Sequence, residues 1–244
     1  MPPAAPILAP ILAPVPVLTD TPAGTVASPA PGLPRAPDQR SAGILASVRD
    51  AFAEKGFDGA SMQDLARASG MSVGNFYRYF PSKSAIVEAL ISSDLDEIEE
   101  VFRAILDSPH PMQALREMLG YRIRDQQNAT QGQLWSEISA VSRRKPEIRA
   151  VTVRMETQIT DYMLQTFAAE TRLPLDEVKA RFAAHAAFII LLIKSVSCFG
   201  GAAQDAAFES KRQDDLNRLI LRTIDSTLAE ISAATHSSQT LKAR

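Results

Sequence analysis

From Gln39 onward the chain places hydrophobic residues three and four positions apart, and no stretch alternates with a two-residue period over more than a few positions. That rhythm predicts an all-α protein. Ile44, Val48, Ala51 and Phe52 form the apolar stripe of a first helix, which Gly56 is expected to end just after Lys55. Ser61 reads as the N-cap of a short second helix, with Asp64 in the third helical position of a near-capping box and Met62, Leu65, Ala66 and Ser69 on one face. Gly70 closes that helix, and Ser72 caps a third short one in which Val73, Phe76 and Phe80 are expected to face inward. Helices of about two turns are unstable alone and must be held by tertiary packing. Two of them joined by a tight turn containing glycine match a helix-turn-helix.

Beyond this unit the pattern predicts a connecting helix from about Lys83 to Leu106, stopped before Pro109-His110-Pro111. Met112, Leu115, Leu119 and Ile123 make a further stripe, as do Leu134, Ile138 and Val141. Ile148, Val151, Met155, Ile159 and Tyr162 make a longer one that runs towards Phe167. Near the C-terminus Val178, Phe182, His185, Ile189, Ile193 and Val196 follow a near-heptad seam, and Leu216, Leu219, Ile220, Ile224, Leu228 and Ile231 form an amphipathic last helix. Two such helices from each of two chains could build a four-helix interface. Phe182, Ile189, Ile193, Leu216, Ile220 and Ile224 are therefore the expected homodimer contacts.

The N-terminal texture differs. Eleven of the sixteen prolines fall in residues 1–38, among alanines and aliphatic residues and with no basic region ahead of the apolar stretch, so a secretory signal is not expected. The segment reads as a disordered, partly polyproline-like tail; a docking arm or a DNA-grazing extension through Arg35 and Arg40 is the alternative. The expected organisation is thus a tail at 1–38, a helix-turn-helix domain at 39–84, a larger helical domain at 85–235 and a flexible end at 236–244.

Composition changes this picture little. The chain has 244 residues, 45% hydrophobic and 22% charged, which suits a soluble protein of one or two domains. Its net charge of −2 announces no polyanion partner, so any nucleic-acid contact must come from a local patch. Cys198 is the only cysteine; it excludes an internal disulfide, fits a cytoplasmic setting and reads as a small buried hydrophobe. The apolar run from Phe182 to Ile193 ends at Lys194 and is too short to span a membrane.

Chemistry enters with the third short helix. Once Val73, Phe76 and Phe80 turn inward, Gly74, Asn75, Tyr77, Arg78 and Tyr79 are left on the outer side or its margins. Gly74 costs roughly 1 kcal/mol of helix propensity relative to alanine, and a missing side chain lets a backbone approach a groove closely. Pro81-Ser82-Lys83 puts a cation at a helix start, which is unfavourable unless an anion such as phosphate lies beside it.

With these residues in view, the stretch from Ile44 to Leu90, "ILASVRDAFAEKGFDGASMQDLARASGMSVGNFYRYFPSKSAIVEAL", closely resembles the N-terminal domain of the tetracycline-repressor (TetR/AcrR-type) family of bacterial transcription factors. Phe52, Gly56, Leu65, Ala66, Gly70, Gly74, Tyr77, Phe80 and Lys83 fall on the family pattern. The resemblance implies that Gln63, Val73, Gly74 and Asn75 lie where base edges are met, and that Ser61, Ser72, Tyr77, Arg78, Tyr79 and Lys83 mostly meet phosphates. Asn75 or Gln63 could pair with adenine, at about 1–3 kcal/mol of discrimination. Between Arg35 and Leu90 seven Lys/Arg face six Asp/Glu, so a shallow salt dependence is expected.

In the larger domain the candidates to line a ligand chamber are Tyr121, Trp135, Met155, Tyr162, Met163 and His185, although ordinary core packing is the plainer explanation for each taken singly. His185 lacks the neighbours of a metal ligand, and Arg143-Arg144-Lys145 reads as a solvated corner. The sequence holds no P-loop, dinucleotide fingerprint or nucleophile elbow. The expectation is a DNA-binding repressor, a cytoplasmic homodimer with a double-stranded operator and a small, largely apolar effector as partners, and no cofactor, metal or membrane. The alternative is a helical carrier or enzyme in which the helix-turn-helix is only a scaffold.

Overall fold

A computed structural model describes residues 39–124, 129–199 and 206–242. The expectations for the tail at 1–38, for the Cys198 side chain and for the side chains of 236–244 lie outside what is described. The described residues form α1 (Gln39–Gly59), α2 (Met62–Ala68), α3 (Val73–Tyr79), α4 (Lys83–Asp107), α5 (Pro111–Arg124), α6 (Ala129–Ser142), α7 (Pro146–Thr171), α8 (Leu175–Phe199) and α9 (Ala206–Lys242). The fold is all-α, with α1 to α3 as a small N-terminal unit and α4 to α9 as a larger helical body.

Local sequence explains the small unit. The Ser61 hydroxyl accepts from the Asp64 amide at 3.1 Å, while the Asp64 carboxylate accepts from the Ser61 amide at 3.0 Å, a complete capping box at the start of α2. At its end Gly70 has φ of 65°, the Met71 amide donates to the Ala66 carbonyl and the Gly70 amide to the Arg67 carbonyl. This is the Schellman arrangement, and the positive φ is why glycine stands there. Ser72 caps α3 through the Asn75 amide, and Ser82 caps α4 through the Ala85 amide. Phe52, Leu65, Ala66 and Phe76 are buried at the centre of the unit, and Phe52 stacks on Phe57.

Gly56 interrupts the first helix without ending it. Its φ of 70° and ψ of 165° lie in a region open to glycine almost alone, and one further turn follows. Glu137 on α6 reaches this break, where its carboxylate accepts from the Phe57 amide at 3.3 Å. The expected end of α1 at Lys55 is thus a kink, supported by a side chain 80 residues away that no local pattern could announce.

In the body α7 lies against α4, α5, α6, α8 and α9, and its buried Met163, Leu164 and Phe167 anchor the interior. One correction concerns self-association. Phe182, Ile189, Ile220 and Ile224 are buried within the protomer, Leu216 packs against the same core, and Ile193 faces an internal cavity. Periodicity finds an apolar stripe, but cannot say whether its cover comes from the same chain. The apolar side chains that α8 and α9 leave exposed include Phe188, Leu191 and Leu219.

Candidate nucleic-acid interface and effector cavity

The third helix offers a continuous outward surface. Ser72, Val73, Gly74, Tyr77, Arg78 and Tyr79 are exposed, Asn75 is half-buried, and Ser61 and Gln63 are exposed on the neighbouring helix. Val73 corrects the periodicity argument: it is 39% exposed, whereas Phe76 on the same helix is fully buried. A seven-residue helix wedged by one phenylalanine needs no second large anchor, so its first turn stays free. A Cβ built on Gly74 would meet nothing within 4 Å, so no neighbour among the described residues demands a glycine here.

Several of the polar groups are already oriented. Arg78 donates to the Asn75 side-chain oxygen at 2.8 Å and lies over the Tyr79 ring, 5.7 Å from its centroid. Asn75 can offer its amide and carbonyl together to a base only if Arg78 turns away, towards a phosphate for example. The hydroxyls of Ser61 and Ser72 serve as caps. Lys55 and Arg67 flank Asp64, at 2.8 and 3.8 Å, and the hydrogen bonds from Lys55 and Ser61 hold its carboxyl well below the usual range.

Lys83 is placed differently from the expectation of a bare cation at a helix start. Its ammonium donates to the Phe57 carbonyl at 2.6 Å and the Asp58 carbonyl at 3.2 Å, over the Phe57 ring. The cation thus satisfies carbonyls left open at the end of α1, and two carbonyls engage at most two of its three N–H groups.

The small unit is pinned to the body at several points. Arg144 pairs with Asp58 at 2.9 Å, and Lys145 approaches the Phe57 ring. The basic run at 143–145 is therefore not a plain solvated corner; a charge run gives no sign of partners that lie far off in sequence. The deepest pin is the ion pair between Arg49 on α1 and Asp94 on α4, both buried. Burial pushes the Asp94 carboxyl up to about 7, against the pull of Arg49.

Behind this pin lies a cavity of about 320 Å³ between α4, α5, α6, α7 and α8. Trp135, Met155 and Met163 line it, together with Phe102, Met118, Leu119 and Ile159. Three expected lining residues do not. Tyr121 is 41% exposed, Tyr162 stacks behind Phe102 at 5.4 Å between ring centroids, and His185 sits beside Phe182 with Glu230 at 3.6 Å. Each lies on a helix that does border the cavity or the core, but a rotation of one or two positions about the axis decides the face. Arg122, Arg143 and Lys194 also line the cavity, and an apolar-stripe search passes over such residues. Among the described residues no cluster of three or more His, Cys, Asp or Glu could hold a metal, and no helix is long and apolar enough to cross a membrane.

Comparison with known proteins agrees with this architecture. Residues 44–90 match the family model for bacterial regulatory proteins of the tetR family. The chain is 29% identical over 122 residues to the HTH-type transcriptional regulator UidR of Escherichia coli strain K12, covering 50% of this chain and 61% of that protein. It is 29% identical over 89 residues to the HTH-type transcriptional regulator RutR of the same strain, covering 36% and 42%. The matched region thus spans about three-fifths of the length of the first of these curated relatives, or less. Among solved structures, Salmonella enterica GusR superposes with a TM-score of 0.57 at 24% identity, over 76% of this chain and 93% of that one. The TetR family transcriptional regulator PfmR of Thermus thermophilus superposes with 0.51 at 20% identity, over 73% and 97%. Those two likenesses are likenesses of fold. The N-terminal helix-turn-helix thus matches the tetR family model of bacterial regulatory proteins over residues 44–90, and the helical layout beyond it is similar in fold to these solved structures.

Proposed function

We propose that this protein is a sequence-specific DNA-binding transcriptional regulator, a homodimer that sets α3 of each protomer into successive major grooves of a pseudo-palindromic operator. The observation that carries the reading is the outer face of α3. It exposes Val73, Gly74, Tyr77, Arg78 and Tyr79 on a short helix whose one buried anchor is Phe76, a surface a merely structural helix has no reason to keep. Val73, Gly74, Asn75 and Gln63 meet base edges; Tyr77, Tyr79 and Arg78 meet the backbone, joined by the remaining N–H of Lys83. Ser61 and Ser72 act by holding the first turns of α2 and α3 in place.

Dimer pairing uses the outer faces of α8 and α9, through Phe188, Leu191 and Leu219 in place of the residues expected from sequence. The output is repression, relieved when a small ligand fills the cavity and biases α4, which carries Asp94 and begins at Lys83. Reader and chamber thus share one helix. The alternative, a carrier or enzyme with an idle helix-turn-helix, is not favoured by the relatives, both named as transcriptional regulators.

The test is selection from a random duplex pool followed by anisotropy with the wild type, Tyr77→Ala and Arg78→Ala. A two-fold-symmetric site bound about tenfold or more weakly by both variants supports the assignment. A folded dimer that selects nothing refutes it.

A further inference from the structure

Apart from the Glu156–Lys194 pair, the polar lining of the cavity is gathered at one end. Ser139, Ser142 and Arg143 belong to the end of α6 and the corner after it, Thr152 to the early turns of α7, and Arg122 to the last turn of α5. This is the end nearest α1, since Arg144 next in sequence pairs with Asp58, and Arg122 acts on the Asp94 carboxyl. Towards the other end the walls are Phe102, Met118, Leu119, Ile159 and Met163. Lys194 is matched within the lining by Glu156, at 2.5 Å. Arg122 and Glu97 both act on the Asp94 carboxyl, and Asp94 is itself paired with Arg49. Among the described lining residues the charged groups are Arg122, Arg143, Lys194 and Glu156. The end of the chamber nearest α1 thus presents two guanidinium groups beside apolar walls.

Resting on the effector reading above, we infer that the cavity takes a small amphipathic monocarboxylate, its hydrocarbon body among Phe102, Met118, Trp135 and Met163 and its carboxylate against Arg143 and Arg122 at the end nearest the DNA-binding unit. The volume of about 320 Å³ lies at the small end of the roughly 300–1,000 Å³ usual for ligand sites, which admits a medium-chain or single-ring acid and excludes a long lipid. A planar guanidinium suits a carboxylate through two parallel hydrogen bonds, which a neutral head group matches less well. The position also gives the ligand a handle on the reader, because a carboxylate at Arg122 weakens the support Arg122 lends to the Arg49–Asp94 pin.

The chain has one tryptophan, Trp135, and it lines the cavity, so its fluorescence reports occupancy. Octanoate and 4-phenylbutanoate are titrated into the full-length protein beside their primary amides, with release of the selected operator read in parallel. The expected result is carboxylate binding about ten- to a hundredfold tighter than amide binding, with that margin lost in Arg143→Met and in Arg143→Glu. Arg143 is exposed, so neither substitution threatens the fold, and the melting temperature of each variant checks this. Amides that bind as tightly as the acids and also release the operator would overturn the anionic head while leaving the effector reading intact. No Trp135 response to either class, with operator binding preserved, would overturn the carboxylate proposal and weigh against the effector reading as well.

Discussion

Replacing Asp94 by alanine tests how the DNA-binding unit is fastened to the body. Asp94 is fully buried and Arg49 is 8% exposed, and a single guanidinium nitrogen meets a single carboxylate oxygen. The second Asp94 oxygen and the Arg49 Nε have no hydrogen-bond partner among the described residues. Such a pair is costly to half-remove, because Asp94→Ala strands a buried guanidinium. The expected loss is about 3–5 kcal/mol, and replacing both partners by apolar residues should restore most of it. The variants are Arg49→Met, Asp94→Ala and Asp94→Leu, with Arg49→Met/Asp94→Leu as the double, compared by urea denaturation at one protomer concentration, since dimer stability depends on concentration. The double variant should fall within about 1 kcal/mol of wild type, or above it. The pH dependence carries a sign. The folded-state pKa of Asp94, about 7, lies above its ordinary value of 3.8, so the native state keeps a proton that the unfolded chain has lost. Its contribution is full below about pH 4 and is lost as pH rises through 7, so wild type should gain on the double variant as pH falls across that window. Single variants costing under about 1 kcal/mol, or a double variant as unstable as the two single losses added, would refute the account of the pin.

Three further outcomes follow from the geometry. Gly74→Ala should raise the stability of the free protein by up to about 1 kcal/mol, because helix propensity improves and the new methyl meets open space, yet it should weaken operator binding; thermal melting and anisotropy separate the two effects, and unaltered DNA affinity would remove Gly74 from the interface. Asp64, held below the usual carboxylate range, stabilises the fold above its unfolded pKa and loses that contribution as pH falls through its lowered one, so an Asp64→Asn variant should show a shallower acid transition than wild type in a circular-dichroism titration. Leu191→Arg, at a side chain 61% exposed, should shift the protein to monomer in sedimentation velocity without lowering protomer stability by more than about 0.5 kcal/mol; an unchanged dimer would place the interface elsewhere.

Much of the reader was legible because its signals are local. Ser61, Ser72 and Ser82 cap the three helices whose starts they mark, Gly70 closes α2, and α4 begins at Lys83 and ends one residue past the expected Leu106. Each depends on groups within about four positions, and hydrogen bonding at that range is written in the residue order. The ligand-lining and dimer residues were less legible. Tyr121 and Trp135 look alike as large residues on amphipathic helices, yet one is exposed and the other borders the cavity. Val73 and Phe76 share a helix, and only the packing of α3 against its neighbours tells them apart.

The sequence by itself determined the helices, their caps and the outward row of Gly74, Tyr77, Arg78 and Tyr79, because these follow from backbone hydrogen bonding and a 3.6-residue period within a few neighbours. The tertiary structure alone decided that Glu137 supports the kink at Gly56, that Lys83 clamps the end of α1, that Arg49 meets Asp94, and that the exposed Arg143 also borders a cavity. Those partners lie from 26 to 80 residues apart where they pair directly. A charge or an apolar face is satisfied by whatever the fold brings to it, and one helix's period carries no information about which element that will be.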